Sequence, residues 1–354
     1  IFTNAYAGHA NCAPSRAAIL TGRDASSTGY DVTPTPDGMG RMIAAIGNDN
    51  LMGRPEYRYD EVADEANPTY NSRGLPGAEI TVAETLREAG YHTMQIGKWH
   101  LGRERGMLPR DQGFDEDLMM ASGLFLPVDD PNVVNAELPF SSIDRFLWAR
   151  LQFAVMQDGG EWFEPEGYLT DYFTDNAVRA IEANAGRPFF LYLAHWGAHV
   201  PLQATREDFE AVGDIQPHRR RVYAAMMRSL DRSVGRVIEA LEAEGIADNT
   251  ILVLSSDNGA PDYIGIDGVN APYRGWKNTF FEGGLRVPVS MTWPGTIESG
   301  TEIGAPVTHL DLMPTLVAAG GAVLPDDRTI NGRDMAPLWA GAERLTRPDD
   351  AIHW

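Results

Sequence analysis

The chain has 354 residues, of which 43% are hydrophobic, so it can bury a substantial core as one large α/β domain or two smaller ones. Its formal net charge of -21 at pH 7 argues against a nucleic acid or an anionic membrane as a partner. It has 1 cysteine, which excludes an intramolecular disulfide framework, and no apolar run long enough for a transmembrane segment.

The two ends of the chain indicate a fragment. The chain begins at Ile1 rather than at a methionine, in residues typical of the end of a strand, and it stops abruptly at Trp354. We expect residues 1–354 to form a single domain whose first strand, export signal and C-terminal part lie outside this sequence.

The segment at residues 11–22 predicts a short helix with Cys12 in its first turn. Pro14 is a good residue for opening a helix, and Gly22 is a good residue for closing one. The free N–H groups and the dipole at a helix N-terminus favour an anion, and Arg16 lies one turn further along the same face. A lone cysteine is more often a small buried apolar residue, so this interpretation depends on the residues that flank Cys12.

Further along the chain, helical and strand patterns alternate. Residues 24–75 are rich in glycine, proline, asparagine and aspartate and predict long loops, and residues 124–166 predict an insertion over a sheet. Helical spacing and capping residues predict further helices at residues 81–90, 171–185, 218–244 and 308–319. Apolar runs predict buried strands at residues 91–96, 188–194, 250–254 and 287–292.

This alternation predicts the α/β class, with a mostly parallel central sheet and helices on both faces. Ligands of such sheets bind at the C-terminal ends of the strands. We therefore expect the polar residues that follow the predicted strands to share one site.

A lysine and three histidines follow two of these strands. Lys98 and His100 lie two positions apart, so in an extended segment both face one side, where a cation and an imidazole can hold an anion and move a proton. Taken alone, this pair is better explained by a solvated lysine and a capping histidine. His199 is a second candidate, and we favour it over His195, because a histidine at a strand end is more often structural.

Two more polar clusters lie towards the C-terminus. Asp257 and Asn258 offer hard oxygen ligands suited to Ca²⁺ or Mg²⁺, although two ligands do not make a site and Asp-Asn-Gly is also common turn chemistry. Lys277 lies on a glycine-rich approach to a strand, where a solvated surface lysine is the alternative. Asp231, inside a predicted helix, predicts a structural ion pair with a neighbouring arginine.

Together these residues belong to a series of motifs. Residues 12–22 read C-A-P-S-R-A-A-I-L-T-G, which is similar to the C-x-P-S-R-x-x-x-L-T-G signature of the sulfatases at every specified position. Four further segments are similar to motifs of that family and follow in the same order. They are residues 97–102 (G-K-W-H-L-G), 199–201 (H-V-P), 256–259 (S-D-N-G) and 277–288 (K…E-G-G-L-R-V-P). The resemblance runs from Tyr6 to about Asp334 and is weakest at residues 24–75 and 124–166.

The resemblance implies the alkaline-phosphatase-like sulfatase core and an arylsulfatase-like sulfuric ester hydrolase, with residues 1–354 as one catalytic domain. In that family a dedicated enzyme oxidises the cysteine, here Cys12, to formylglycine, and the hydrate of this aldehyde attacks sulfur. The resemblance also implies a divalent cation, usually calcium with magnesium as the alternative, bound by Asp257, Asn258 and the modified Cys12.

The same resemblance implies roles for the basic residues. Arg16 would stabilise the hydrate. Lys98, His199 and Lys277 would hold the sulfate oxygens, and His199 or Lys277 would protonate the leaving alcohol. His100 would assist the breakdown of the sulfated intermediate.

One departure from the family concerns the metal. The first strand of the family ends in a pair of aspartates that complete the metal site, whereas residues 1–11 contain no aspartate or glutamate. We expect these ligands to lie in the sequence before Ile1.

Two other functions stay open. A phosphonate or phosphodiester hydrolase of the same superfamily would share the nucleophile and the metal platform, and a non-catalytic relative that binds carbohydrate would keep only the fold. The expected substrate is a sulfated small molecule or a sulfated carbohydrate, on which Trp99, Trp196 and Trp276 could stack. We expect a formylglycine-generating or equivalent maturase as a partner, and a periplasmic or secreted protein.

Overall fold

The computed structural model describes residues 1–48, 55–121, 123–348 and 351–354. The strands in these residues are β1 (Ala5–Tyr6), β2 (His92–Gly97), β3 (Glu116–Met120), β4 (Val133–Ala136), β5 (Val155–Gln157), β6 (Trp162–Phe163), β7 (Phe189–Ala194), β8 (Leu202–Thr205), β9 (Leu252–Ser255), β10 (Val289–Thr292) and β11 (Val307–Thr308). The α-helices are α1 (Cys12–Thr21), α2 (Ala25–Thr28), α3 (Met39–Gly47), α4 (Glu61–Ala66), α5 (Val82–Glu88), α6 (Ser142–Arg150), α7 (Leu169–Asn184), α8 (Arg206–Ala211), α9 (His218–Ala243), α10 (Glu282–Leu285), α11 (Leu312–Ala319) and α12 (Ala336–Trp339).

A sheet in the order β6-β5-β3-β2-β7 lies at the centre of the fold. β2 is parallel to both of its neighbours, β3 and β7, while β5 and β6 extend the β3 side in antiparallel orientation. This arrangement confirms the predicted α/β class. The C-terminal ends of β2 and β7 therefore open at the same edge of the sheet, where two of the predicted polar clusters follow.

Helices cover both faces of this sheet, as predicted. Side chains alternate along β7, so that Leu191 and Leu193 pack into the cluster formed by α7 and α9. Phe190 and Tyr192 point the other way, into the cluster formed by α1, α5 and α11. None of the helices in the described part of the chain is both long and apolar enough to cross a bilayer.

The remaining strands include a second layer that α1 joins to the central sheet. β9 is antiparallel to β10 and β1 is parallel to β11, and a bridge from Phe2 to Val289 connects the two pairs. Arg16 of α1 donates to the backbone oxygen of Lys98 after β2 and pairs with Asp257 after β9. The ends of β2 and β9 therefore meet beside the first turns of α1.

Two segments contain more regular structure than their sequence predicts. The prediction of long loops at residues 24–75 is wrong in part, because α2, α3 and α4 lie there; residues 49–54 of this segment are outside the described part. The segment at residues 124–166 does not simply cover the sheet, because β5 and β6 extend its edge and β4 pairs with β8. Helix α4 buries none of its residues, which explains why its sequence shows no apolar periodicity.

The strands predicted to be buried on both faces are less buried than expected. Five of the six residues of β7 are only half-buried, and in β9 Leu254 is 48% exposed. Within the described residues β7 pairs only with β2 and β9 pairs only with β10, so each strand has an open edge. An apolar run indicates a strand, but it does not indicate how many neighbours that strand has.

The predicted ion pair of Asp231 is not found in the described part of the chain, and Asp231 is exposed. The acidic partners of α9 come instead from the helices packed against it. Arg232 lies 3.0 Å from Asp171 of α7 and 2.6 Å from the buried Asp208 of α8. The sequence shows the arginine but not which helix supplies its partner.

Candidate active site

The N-terminus of α1 presents Cys12 as predicted. Asn11 is extended (φ -126°) and Cys12 is the first helical residue, while Gly22 ends the helix in the left-handed conformation (φ 63°). Cys12 is 1% exposed. It is therefore shielded from bulk water while lying beside the unsatisfied N–H groups of the first helical turn.

Four of the predicted basic residues converge on the Cys12 side chain. His100 and His199 are within hydrogen-bonding reach of it, and Lys277 and Lys98 act on it through their charges. His100 adopts a left-handed conformation (φ 64°), so the segment that carries Lys98 and His100 is not extended as predicted. Lys98 and Lys277 are 4% and 6% exposed, so water screens their charges poorly.

The electrostatics of this cluster favour an anion at Cys12. Burial alone would raise the pKa of the Cys12 thiol, but the charges of Lys277 and Lys98 outweigh it and hold this pKa well below its usual range. In a chain of net charge -21, this local concentration of cations is what an anionic substrate would require.

The atoms that carry hydrogen can be assigned for His199 and Lys277. His199 Nδ1 lies 2.6 Å from the carbonyl oxygen of Val200, which can only accept, so Nδ1 carries the hydrogen. Its Nε2 is then an acceptor, 3.4 Å from Lys277 Nζ. Burial and the charge of Lys277 lower the pKa of His199 to about 4. Although burial opposes its charge, the anion at Cys12 raises the pKa of Lys277, so the ammonium holds the mobile proton.

His100 is a second neutral imidazole beside Cys12. Burial lowers the pKa of His100 to about 4, and its hydrogen-bond contact with Cys12 only partly opposes this effect. Its Nδ1 is buried and has no hydrogen-bond partner in the described part of the chain. A neutral imidazole beside the nucleophile can accept a proton.

Arg16 links the nucleophile helix to the neighbouring strand ends. Its Nη2 lies 2.8 Å from Asp257 Oδ2, and its Nη1 donates to the backbone oxygen of Lys98 at 2.9 Å and to the Tyr192 hydroxyl at 3.3 Å. A buried guanidinium held at three points cannot easily reorient. Arg16 therefore fixes Cys12 relative to Lys98 and Asp257.

Asp257 and Asn258 suit part of a cation site. Asn258 Oδ1 is buried and finds no hydrogen-bond partner in the residues described, while its Nδ2 donates to Gly259. Asp257 Oδ2 is held by Arg16 and lies 3.8 Å from Lys98 Nζ. A carboxylate and a free amide oxygen fit Ca²⁺ or Mg²⁺, but the described residues contain no group of three or more histidine, cysteine or acidic side chains that could hold a metal ion.

Trp196 supports two of the basic residues, a role that sequence reasoning missed. Its ring stacks on His199 at 3.9 Å between centroids and lies 4.8 Å from Lys98 Nζ. Trp99 is 1% exposed, and the ring of Trp196 already contacts His199 and Lys98, whereas Trp276 is 43% exposed and can stack on a substrate as predicted. The only feature of the sequence that indicates this role for Trp196 is its position directly after a strand.

His309 is a second residue that sequence reasoning missed. Its Nδ1 accepts from the backbone N–H of Gly8 (3.3 Å) and contacts the Ser15 hydroxyl (3.1 Å). Its Nε2 therefore carries the hydrogen and donates to the Ser255 hydroxyl at 2.9 Å. His309 thus ties the start of the nucleophile helix to the strand that leads to Asp257, and no sequence pattern signals such long-range contacts.

His195 lies outside the cluster, as the preference for His199 predicts. Its Nε2 is 2.8 Å from the Ser233 hydroxyl of α9, which also accepts from Thr174 of α7. Burial lowers the pKa of His195 to about 4. It is a neutral residue of the helix–sheet interface.

Comparisons with known proteins show the family of the chain. The family model described as Sulfatase matches residues 1–322. The chain is 30% identical to N-acetylgalactosamine-6-sulfatase of Mus musculus, over 98% of this chain and 61% of that protein. It is 32% identical to an arylsulfatase of Hemicentrotus pulcherrimus, over 94% of this chain and 54% of that protein.

The chain is also similar to a solved structure. The crystal structure of Ps i-CgsB in complex with k-i-k-neocarrahexaose superposes with a TM-score of 0.76 and 29% identity, covering 96% of this chain and 68% of that one. The chain spans 61% and 54% of the lengths of the two relatives above.

Proposed function

The chain belongs to the sulfatase family, and we propose that the protein hydrolyses sulfate esters with a nucleophile derived from Cys12. The observation that carries this proposal is the cluster around Cys12, where two lysines and two neutral histidines meet at a helix N-terminus. A sulfate ester brings a negative charge that this cluster can hold.

Substrate binding would use the fixed charges. Lys98 and Lys277 would each bind a sulfate oxygen, and His199 Nε2 would accept from the Lys277 ammonium and orient it. Arg16 would stabilise the nucleophile. Because these side chains are already held in place by Trp196, Val200 and Asp257, little ordering is needed when the ester binds.

The first step would be attack on sulfur. The maturase of the family would have converted Cys12 to formylglycine, so Sγ marks the position of the aldehyde hydrate. One hydroxyl of the hydrate gives its proton to His199 Nε2 and forms a bond to sulfur, while the bond from sulfur to the ester oxygen breaks and the departing oxygen takes a proton from Lys277. The contact of 3.4 Å between His199 Nε2 and Lys277 Nζ can then return the proton to Lys277. Lys277 is the donor that the proton arrangement supports, because His199 Nε2 accepts rather than donates.

The second step would release sulfate. His100 takes a proton from the remaining hydroxyl, the carbon–oxygen bond to the sulfate group breaks, and the aldehyde forms again. Water then adds to the aldehyde and restores the hydrate. The low pKa of His100 keeps its imidazole neutral and able to accept this proton.

A divalent cation belongs to the proposal. Asp257, Asn258 and an oxygen of the modified Cys12 would hold it, with calcium as the first choice and magnesium as the alternative. When bound, it would supply positive charge beside the sulfate oxygens. The unpartnered Oδ1 of Asn258 supports this assignment.

The proposed substrate is a sulfated carbohydrate or a sulfated small molecule. One relative is an N-acetylgalactosamine-6-sulfatase, and the structure of Ps i-CgsB holds a neocarrahexaose. A periplasmic or secreted location is part of the same proposal.

The test is a panel of substrates with full-length protein expressed together with a maturase. We expect turnover of 4-nitrophenyl sulfate that is at least 10²-fold faster than turnover of the matching phosphonate monoester and phosphodiester, and loss of turnover in Cys12→Ala. Preferred turnover of the phosphorus esters would favour the phosphonate or phosphodiester hydrolase instead. Carbohydrate binding without any turnover would favour a non-catalytic relative.

A further inference from the structure

A pocket with a basic wall opens beside the active site. Lys98 and His100 line it together with Tyr70, Arg73 and Arg103. The described residues that line this pocket include no aspartate or glutamate, although the chain has 50 acidic residues. The pocket therefore continues the positive character of the site away from the nucleophile.

Arg103 is held rigidly in this wall. Its guanidinium lies 5.2 Å from the ring centroid of Tyr70 and 5.3 Å from that of Trp162 on β6. It also donates to the backbone oxygen of Ala121. A guanidinium held between two aromatic rings keeps its charge and its orientation, so it loses little conformational entropy when it binds an anion.

Arg73 adds a second charge from a different segment. Its Nη2 donates to the backbone oxygen of Thr35 at 2.7 Å, and its buried Nε has no hydrogen-bond partner in the described part of the chain. Among the described residues its ion-pair partner is Asp37 at 3.9 Å, whose side chain is 65% exposed and screened by water. This weak pair leaves most of the positive charge of Arg73 available to a ligand.

We propose that Arg73 and Arg103 form a subsite for a second anionic group of the substrate, so that the preferred substrate is a carbohydrate with a further sulfate or carboxylate on the sugar next to the scissile ester. This inference rests on the proposed sulfatase function. Lys98 and His100 act at the scissile ester, and they line the same pocket as the two arginines. Planar guanidinium groups bind sulfate and carboxylate through paired, charge-assisted hydrogen bonds.

The test compares two disaccharides that carry the same scissile sulfate, one of them with a second sulfate on the neighbouring sugar. The measurement is the ratio of their kcat/KM values with full-length, matured protein. Wild type prefers the disulfated substrate, and Arg103→Gln and Arg73→Gln each lower that preference by about tenfold. Arg103→Lys, which keeps the charge but loses the planar group, lowers it by less.

The matched control is Arg105→Gln. Arg105 is exposed, lies two positions from Arg103 and does not line the pocket, so the variant removes the same charge and leaves the preference unchanged. No preference in wild type, or an equal loss in Arg105→Gln, overturns the proposal.

A binding experiment separates this proposal from the proposed function. If wild type releases no sulfate from either disaccharide or from 4-nitrophenyl sulfate, the proposed function fails. The subsite is then judged by calorimetric titration of the Cys12→Ala protein with the disulfated disaccharide. Weaker binding on adding Arg103→Gln supports the subsite, and unchanged binding overturns it.

Discussion

His199 donates its Nδ1–H to Val200 and turns Nε2 towards Lys277, 3.4 Å away. The carbonyl oxygen of Val200 therefore fixes Nδ1 as the donor and Nε2 as the acceptor of this histidine. Trp196 keeps the ring in place by stacking on it. At the scale of single residues, these contacts identify Lys277 as the group with a proton to give.

Replacing Lys277 with alanine should therefore affect poor leaving groups most. We expect kcat/KM to fall about 10²–10⁴-fold for an alkyl sulfate and clearly less for 4-nitrophenyl sulfate, whose phenolate leaves without protonation. The measurement is a leaving-group series at constant pH. His100→Ala is the contrast, because it should slow the second step, which all esters share, and so lower kcat and not kcat/KM. An equal loss across the series in Lys277→Ala would show that Lys277 only binds the sulfate.

His309 should act through the position of the nucleophile. We expect His309→Leu to lower kcat on the order of 10²-fold while changing KM little, because it unties α1 from β9. The matched control is His195→Leu, which removes another buried, serine-bonded histidine but keeps kcat within about threefold. Aldehyde content and thermal stability are measured for both variants. Equal losses of kcat would assign His309 to the general stability of the fold.

At the scale of secondary structure, β3 carries an unusual buried carboxylate. Asp117 is 3% exposed, and neither of its oxygens has a hydrogen-bond partner in the described part of the chain. Burial and then the charge of Asp158 raise the pKa of Asp117 to about 6, and Arg110 at 3.7 Å only partly offsets them. Asp117 lies within the part of β3 that pairs in parallel with β2.

This carboxylate should make stability depend on pH. Because its folded pKa lies above its unfolded value, the folded state binds the extra proton, and its stabilising effect is lost as the pH rises through about 6. Asp117→Asn should therefore raise the free energy of unfolding at pH 8, on the order of 2 kcal/mol, and change it little at pH 4. Denaturant unfolding at the two pH values measures this.

Asp158→Asn is the control for that experiment. It removes the neighbouring charge but leaves the burial, so we expect a gain in the same direction and of smaller size at pH 8. A gain in Asp117→Asn that is equal at pH 4 and pH 8 would contradict the assignment of the effect to titration of Asp117.

At the scale of the whole molecule, the sequence predicts the site better than its surroundings. Lys98 and His199 could be predicted to meet because they follow the parallel strands β2 and β7, whose C-terminal ends lie at one edge. Asp257 follows β9, which pairs with the antiparallel β10 among the described residues, and Arg16 joins it to the site. His309 could not be predicted, because its partners lie 54 to 301 positions away in the chain.

The parts that the sequence predicts poorly are those with little apolar periodicity. Helix α4 buries no residue, and β5 and β6 are only three and two residues long, so their sequences carry too little pattern to identify them. The exposure of Leu254 depends on which strands flank β9, which local sequence does not encode. These segments surround the site, so the sequence predicts the chemistry more completely than the specificity.

The measurement that tests the central claim most directly is sulfate release as a function of the aldehyde content at residue 12. Preparations with different extents of maturation are titrated with a hydrazide probe, and the release of inorganic sulfate from 4-nitrophenyl sulfate is measured for each. We predict that the rate is proportional to the aldehyde fraction and that it vanishes in Cys12→Ala. Full activity in protein whose Cys12 is unmodified, or sulfate release by Cys12→Ala, would contradict the proposed mechanism.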